Sequence, residues 1–566
     1  MRPGSFRRFW PVILAGVLLA TGAVSQNPPP YYAIRGARIV PVSGPPIENG
    51  TVVIANGLIA AVGGSNTAIP PEAWVIDGKG LTVYPGLIDA LTDLGLQAAA
   101  RPAGAGAQAQ QPGPPAAQQP AARPSQGPED RPATTPWEIA ADELNPADRR
   151  IEQWRSAAFT TALSVPSRGL ITGQGSVINL AGERPGRMVV KSPAAVRINF
   201  TGTGVSGFPG SLMGVQAYLK QVFLDTLHYA QAQQIYEANP KGLERPMYDR
   251  TVRVMHDVVS RRSPVLLPAT TEPQIARALK LGEQIGAPVV VLYGVHEGYA
   301  AAPMLAAKKV PVLVSLRWPE RDRDADPDAE EPLRVLQFRD RAPSTPAALE
   351  KAGVKFAFYS DGIANPRDLL RHVKKAIDAG LRAESALRAL TLSAAEILGV
   401  ADRLGSIEPG KIANLVVADG DLFAERTRIK WVFVDGRRFE VREPERPAAP
   451  AGEAHPSGTM AGRWSIIVNT PGGESIPVTA DLTMSPDGSI AGSMTTPFGV
   501  APVTSGSLTG NRFTITVTVT APEGSGDAVF SGTLEGNRIS GTVTFQGSTA
   551  EFTGTRPGAA ADQQQQ

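Results

Sequence analysis

Five histidines and no cysteines bound the chemistry open to this chain of 566 residues. Thiolate metal sites, cysteine nucleophiles and disulfides are excluded, so a transition-metal site must draw on histidine and carboxylate. His228 in FLDTLHYAQA, His256 in VRVMHDVV and His372 in LLRHVKKA fall in helix-like segments without a partner at metal-ligand spacing, and read as packed or surface residues. His455 lies in a Pro- and Ala-rich stretch. His296 follows the apolar run VVVLYGV, with Glu297 beside it. Asp361 stands in the same way after VKFAFYS, and Asp93 after LIDALT. Residues two apart on a strand share a face, so Leu91 and Asp93 point the same way. Asp93 offers lone pairs; Leu91 has none. Gly173-Gln174-Gly175 adds a backbone that can approach a ligand closely, or simply turn tightly.

Short apolar runs alternate with helical patterns and would position these groups. The runs are Phe159 to Ser167, Pro264 to Ala269, Ala287 to Gly298, Val310 to Leu316 and Val354 to Gly362. Helices are expected in EPQIARALKLGEQIG, in AAPMLAAKK and from Pro366 to Ala379. Strand–helix alternation on this scale predicts an α/β fold with a (β/α)8 barrel over 83–402. Its first strand is followed by a low-complexity insertion, 98–135, rich in Ala, Gln, Pro and Gly. It is expected to be a disordered surface loop, with a lid over the barrel mouth as the alternative.

Both ends of the barrel are flanked by strand-rich sequence, 31–82 and 403–443. Asn56-Gly57 and Asp77-Gly78 read as hairpin turns. After a linker at 444–457, residues 458–557 alternate apolar and polar positions between glycine turns. Phe513, Ile515, Val517 and Val519 share one face. This predicts a separate antiparallel β-barrel or sandwich, before a disordered tail at 558–566.

The net charge is close to zero and no basic block stands out, which argues against a nucleic-acid partner. The amino terminus reads as a signal peptide, 1–25: a basic start (Arg2, Arg7, Arg8), the apolar run Phe9 to Ala20, and small residues at Ala23-Val24-Ser25. An uncleaved anchor is the alternative, disfavoured by the short apolar run. The protein is therefore expected to be exported, periplasmic or secreted, touching the membrane only before cleavage.

Two phrases carry a family resemblance. Pro85-Gly86-Leu87-Ile88-Asp89 resembles the first barrel strand of the amidohydrolase superfamily, and Gly405-Ser406-Ile407-Glu408-Pro409-Gly410-Lys411 resembles its late β-rich segment. The chain is similar to the secreted imidazolonepropionase-like group over roughly 31–441. The resemblance implies a split small β-sandwich made from 31–82 and 403–443, and metal-assisted hydrolysis of non-peptide C–N bonds such as those of cyclic amides. It implies ligands at the barrel mouth on strands one, five, six and eight, and in some members a bridging lysine on strand four.

At the implied strand-one histidines stand Leu91 and Asp93, and at the strand-five histidine stands Pro268. His296 keeps the strand-six position and Asp361 the catalytic aspartate of strand eight. No strand-four lysine can be placed. Two readings follow. In one, Asp93, His296 and Asp361, with Glu297, rebuild a site for a divalent ion: zinc, or better Mn or Mg, given so many oxygen donors. In the other, favoured here, metal chemistry is abandoned and no cofactor is needed. The chain is then a pseudoenzyme, a binding protein for a small molecule, or the partner subunit of an intact amidohydrolase. Metal-free acid–base work by Asp93 with Asp361, and a surface-binding role for the C-terminal domain, carry less weight.

Overall fold

The computed structural model describes residues 31–96, 131–200, 209–260, 263–286, 289–321, 330–441 and 459–556, with breaks at 470–474, 486–487, 498, 522–523 and 546–547. The signal segment 1–25, the linker 444–457, the tail 558–566 and most of the 98–135 insertion lie outside the described residues. The chain divides into two compact units, 1–442 and 443–566.

The first unit is built on an eight-stranded barrel sheet. Its strands neighbour one another in chain order: Leu87–Thr92, Phe159–Ser164, Ile171–Asn179, Val189–Ile198, Val265–Ala269, Val290–Gly294, Val312–Ser315 and Phe356–Tyr359. Strands five to eight are parallel. They are almost wholly buried, which is why they read as continuous apolar runs rather than alternating ones. The eighth returns against the first, where the Ser360 amide donates to Asp89 Oδ1 at 3.0 Å, so the barrel is nearly closed.

The all-parallel arrangement expected from the sequence needs one correction. The third strand runs antiparallel to both neighbours. Only residues 165–170 separate it from the second strand and 180–188 from the fourth. A parallel return needs a crossover of a dozen residues or more, so the chain doubles back instead.

Strands from both ends of this unit join in one eight-stranded sheet. Leu415–Ala418 pairs antiparallel with Thr82–Pro85 and splices the late segment to the early one. Ile34, Ile39, Ile54, Val83, Leu415 and Phe433 form its core. The expected composite is therefore present. Asn56-Gly57 makes the predicted hairpin turn, with both residues at positive φ (50° and 83°). Asp77-Gly78 does not: the strands on either side of it, Trp74–Asp77 and Thr82–Pro85, both pair parallel with Tyr31–Ile39. The turn carries the chain onward along one edge.

The end of the insertion also corrects an expectation. Residues 131–135 are packed, not disordered. Arg131 makes ion pairs with Asp225 (2.7 Å) and Asp249 (3.0 Å), and the buried Thr134 hydroxyl lies 2.6 Å from that of Tyr218.

The second unit is a closed eight-stranded barrel rather than a sandwich. Each strand is antiparallel to the next, and Gly462–Asn469 closes on Ser548–Thr555. Trp464, Phe513, Phe530 and Phe552 fill its interior. Glycines at φ 61° form the two repeated turns, Gly510 and Gly536.

Gly86 shows how tightly the first barrel strand is set. A Cβ there would lie 2.1 Å from Thr160 Oγ1 and 2.4 Å from its Cγ2. Gly86→Ala should destabilise the first unit by roughly 1–3 kcal/mol, the usual cost of overpacking. Urea unfolding checks this, and an unchanged midpoint would contradict it.

Candidate functional site

A cavity of about 390 Å3 lies at the C-terminal ends of strands one, four and eight, on the face where barrels of this type place their sites. Asp93, Arg150, Trp154, Arg197, Tyr359 and Asp361 line it. Arg150 organises one side. It opens the helix Arg149–Ser156, whose N-cap is Asp148, and the cap carboxylate accepts the Arg150 amide. The guanidinium donates to Asp93 Oδ1 at 2.7 Å, to the carbonyls of Asp93 (3.1 Å) and Leu96 (2.9 Å), and to Asp148. Burial opposes ionisation of Asp148, but Arg150 and the amides of Arg150 and Gly95 outweigh it and hold the carboxyl below its ordinary value. Asp93 is thus the partner of a protein cation.

Asp89 lies beneath the cavity and is fully buried. Its Oδ1 accepts from the Ser360 amide and its Oδ2 from Trp154 Nε1, both at 3.0 Å. Strand one, the Arg150 helix and the end of strand eight are tied through this single carboxyl. Burial pushes it up to about 6, against the lowering effect of the Ser360 and Trp154 hydrogen bonds.

Asp361 stands just beyond strand eight, in the left-handed region at φ 50°. Ser315 Oγ, from the end of strand seven, donates to its Oδ2 at 2.7 Å. Arg197 lies near the end of strand four. Its guanidinium carbon sits 5.1 Å from the centroid of the Tyr293 ring, and Nε lies 3.5 Å from the Tyr293 hydroxyl. That hydroxyl is itself held by Ile198 O (2.9 Å) and Asn199 Oδ1 (2.8 Å). Among the described residues no carboxylate lies within ion-pair distance of Arg197. Burial raises the Tyr293 phenol, and burial with the nearby Asp361 raises Tyr359 further, so both rings stay neutral.

The candidate residues are therefore only partly brought together. Asp93 and Asp361 share the mouth cavity; His296 does not line it. The His296 ring packs beside Trp318 and Phe338, with Nε2 buried and without a hydrogen-bond partner. Burial lowers its pKa despite the Asp361 charge, which favours neutral imidazole. Glu297 is engaged elsewhere: its carboxylate accepts the Glu272 amide at 2.9 Å, at the start of the helix Glu272–Gln284. Gly173, Gln174 and Gly175 lie inside the buried third strand rather than at an open surface. The close approach their glycines permit is to Glu138 and Val165, and Gln174 Nε2 donates to Pro136 O at 2.9 Å. In this structure their contacts are packing contacts within the barrel wall. His228, His256 and His372 fall in helices as expected, with His372 Nδ1 2.6 Å from Leu316 O.

This donor set does not fit a catalytic divalent ion. Leu91 and Pro268 have no side-chain lone pair to give, and Asp93 is held by Arg150. Only His296 and Asp361 remain at the family positions, fewer than the three protein ligands of a catalytic zinc. Among the described residues no three His, Asp or Glu side chains gather as a metal-holding group.

Arg150, Trp154, Arg197 and Ser315 escaped the sequence reading. The Asp148 cap before an amphipathic run was a helix-start signal for Arg150, but nothing in the sequence aims that side chain at Asp93.

Comparison with known proteins agrees with this architecture. Residues 331–442 match the amidohydrolase family. An amidohydrolase structure from Thermotoga maritima MSB8 is 26% identical, superposes with a TM-score of 0.59, and covers 72% of this chain and 100% of its own. An adenine deaminase from Methanoculleus marisnigri is 35% identical over 97 residues, which is 17% of this chain and 18% of that enzyme. The match thus spans under a fifth of the curated relative. The family match at 331–442 and the fold shared with that amidohydrolase together support the superfamily resemblance. Members of that family typically use a divalent metal, which makes the donor set at this mouth the point of difference.

The Asp89 carboxyl predicts a pH dependence of stability. Between the ordinary carboxylate range and about 6, the folded chain retains a proton that the unfolded chain has lost. Stability therefore falls as pH rises through that window. Asp89→Asn removes this titration, so its loss of stability between about pH 4 and pH 7 should be smaller than the wild type's by roughly 2 kcal/mol. Urea unfolding at the two pH values measures the difference; identical pH slopes would contradict the assignment.

Proposed function

We propose that this is an amidohydrolase-superfamily protein in which the family's hydrolysis of non-peptide C–N bonds is impaired, and whose barrel mouth is kept as a small-molecule binding pocket. The carrying observation is the Arg150–Asp93 ion pair beside Leu91, which puts a protein cation and an apolar side chain where the resemblance implies ligands. The cavity otherwise keeps what recognition requires. Arg197 presents guanidinium N–H groups, Asp361 presents a carboxylate fixed by Ser315, and Trp154, Tyr359 and Ile363 supply apolar wall. The basic start and short apolar run of the amino terminus support export to the periplasm or beyond.

A second reading, partner subunit of an intact amidohydrolase, is favoured by one surface. The helix Leu212–Ala238 exposes Leu224, Leu227 and Ile235, and Met247 and Tyr248 are exposed in the segment that follows. Co-expression with an intact homologue tests it: a complex lost on Leu224→Asp with Leu227→Asp supports the subunit reading.

Elemental analysis tests the main proposal. Protein equilibrated with zinc and manganese should hold well below one equivalent of either, with no change on Asp361→Ala. A full equivalent that disappears in Asp361→Ala would overturn it. Restoring Leu91→His, Asp93→His and Pro268→His together with Arg150→Met should raise metal content toward one equivalent in a folded variant.

A further inference from the structure

A second cavity, of about 750 Å3, lies at the end of the barrel where the parallel strands begin. It is bounded by the connection between strands three and four, by Arg403, and by two turns of the small sheet. Those turns, Asn56-Gly57 and Asp435-Gly436, meet back to back. A Cβ on Gly57 would lie 3.1 Å from Asp435 O, and one on Gly436 only 2.7 Å from Gly57 Cα. Both glycines have positive φ (83° and 72°), so neither turn can carry a side chain there without strain.

The floor is braced from below. Asn179 Nδ2 donates to the Asp435 carboxylate at 2.7 Å, and Asn179 Oδ1 accepts from Asn414 (2.8 Å) and Thr161 (3.1 Å). Small sheet and barrel are joined through this buried polar network.

Four arginines line the cavity: Arg184, Arg187, Arg403 and Arg437. Arg403 donates to Val190 O at 2.6 Å. Arg437 has Glu183 as its acid at 3.8 Å, a side chain 87% exposed. Arg184 and Arg187 make no side-chain hydrogen bond or ion pair with any described residue. Two carboxylates, Glu183 and Asp435, oppose the four guanidinium groups, which leaves two positive charges in excess. Burial raises the Asp435 carboxyl, against the Asn179 hydrogen bond and the charges of Arg403 and Arg437.

Guanidinium forks match the oxygens of phosphate groups and bind them bidentately. Several of them around a space too large for one phosphate suit a chain of phosphates. We propose that this cavity binds the phosphoanhydride chain of a soluble polyphosphate or nucleotide, at a site separate from the barrel mouth.

Calorimetric titration of the full-length protein with tripolyphosphate, without divalent ions, tests the proposal. It should show one saturable site that weakens as salt is raised. Arg184→Gln with Arg187→Gln should weaken it at least about tenfold, because each lost charge-assisted contact is worth a large part of that factor. Both side chains are exposed, so the variant should fold; its melting temperature serves as the control. ATP binding more tightly than tripolyphosphate would identify a nucleotide, and equal binding the phosphate chain alone. No saturable binding of tripolyphosphate, or binding unchanged in the double variant, overturns the proposal. Sedimentation with phosphatidylglycerol vesicles that tripolyphosphate does not compete away also overturns it.

Discussion

The guanidinium of Arg150 sets the character of the barrel mouth. One side chain satisfies the Asp93 carboxylate, the Asp148 helix cap and two carbonyls of the chain leaving strand one. The Asp93 carboxylate, 41% exposed, has Arg150 as its counter-charge. In a metal-dependent barrel the cation supplies it from outside the chain; here the first helix supplies it from within. Asp93 is the one donor gained at the strand-one positions, and it is the one Arg150 holds. The remaining donors, His296 and Asp361, stand on other strands, and the His296 ring packs against Trp318 and Phe338 and does not line the cavity.

The scaffold around the mouth is tightly held. Asp89 still ties strand one to Trp154 and to the start of the strand-eight loop, at the expense of a carboxyl raised to about 6. Asp361 still receives a hydrogen bond from Ser315 in a left-handed backbone conformation. An unpaired carboxyl at the buried Asp89 position would be costly, so it is maintained by packing and hydrogen bonding whether or not chemistry follows. Fold and function separate here: the barrel is the superfamily's, while its chemistry depends on individual side chains at the mouth.

Much of this was legible in the sequence. Strands five to eight are buried in parallel pairs, so their apolar runs announced them. The phrases around Pro85 and Gly405 marked the two ends of the domain, and the alternation at Phe513 to Val519 marked the second unit. The third strand was obscured because Gly173-Gln174-Gly175 looks like a turn; only the short connections on either side explain why it runs backward. That Leu91 and Pro268 have no side-chain lone pair to give is plain from their identity alone. The fate of Asp93 was not, since its partner lies 57 residues away and meets it only in three dimensions. Glu297 was misread for a related reason: local sequence cannot tell a carboxylate that faces a site from one that caps the neighbouring helix.

A crystal grown in excess zinc, with anomalous diffraction collected at the zinc edge, tests the central claim most directly. The account predicts no anomalous peak at the mouth and Arg150 still hydrogen-bonded to Asp93. A strong peak coordinated by Asp93 and Asp361, with the Arg150 side chain swung away, would contradict it.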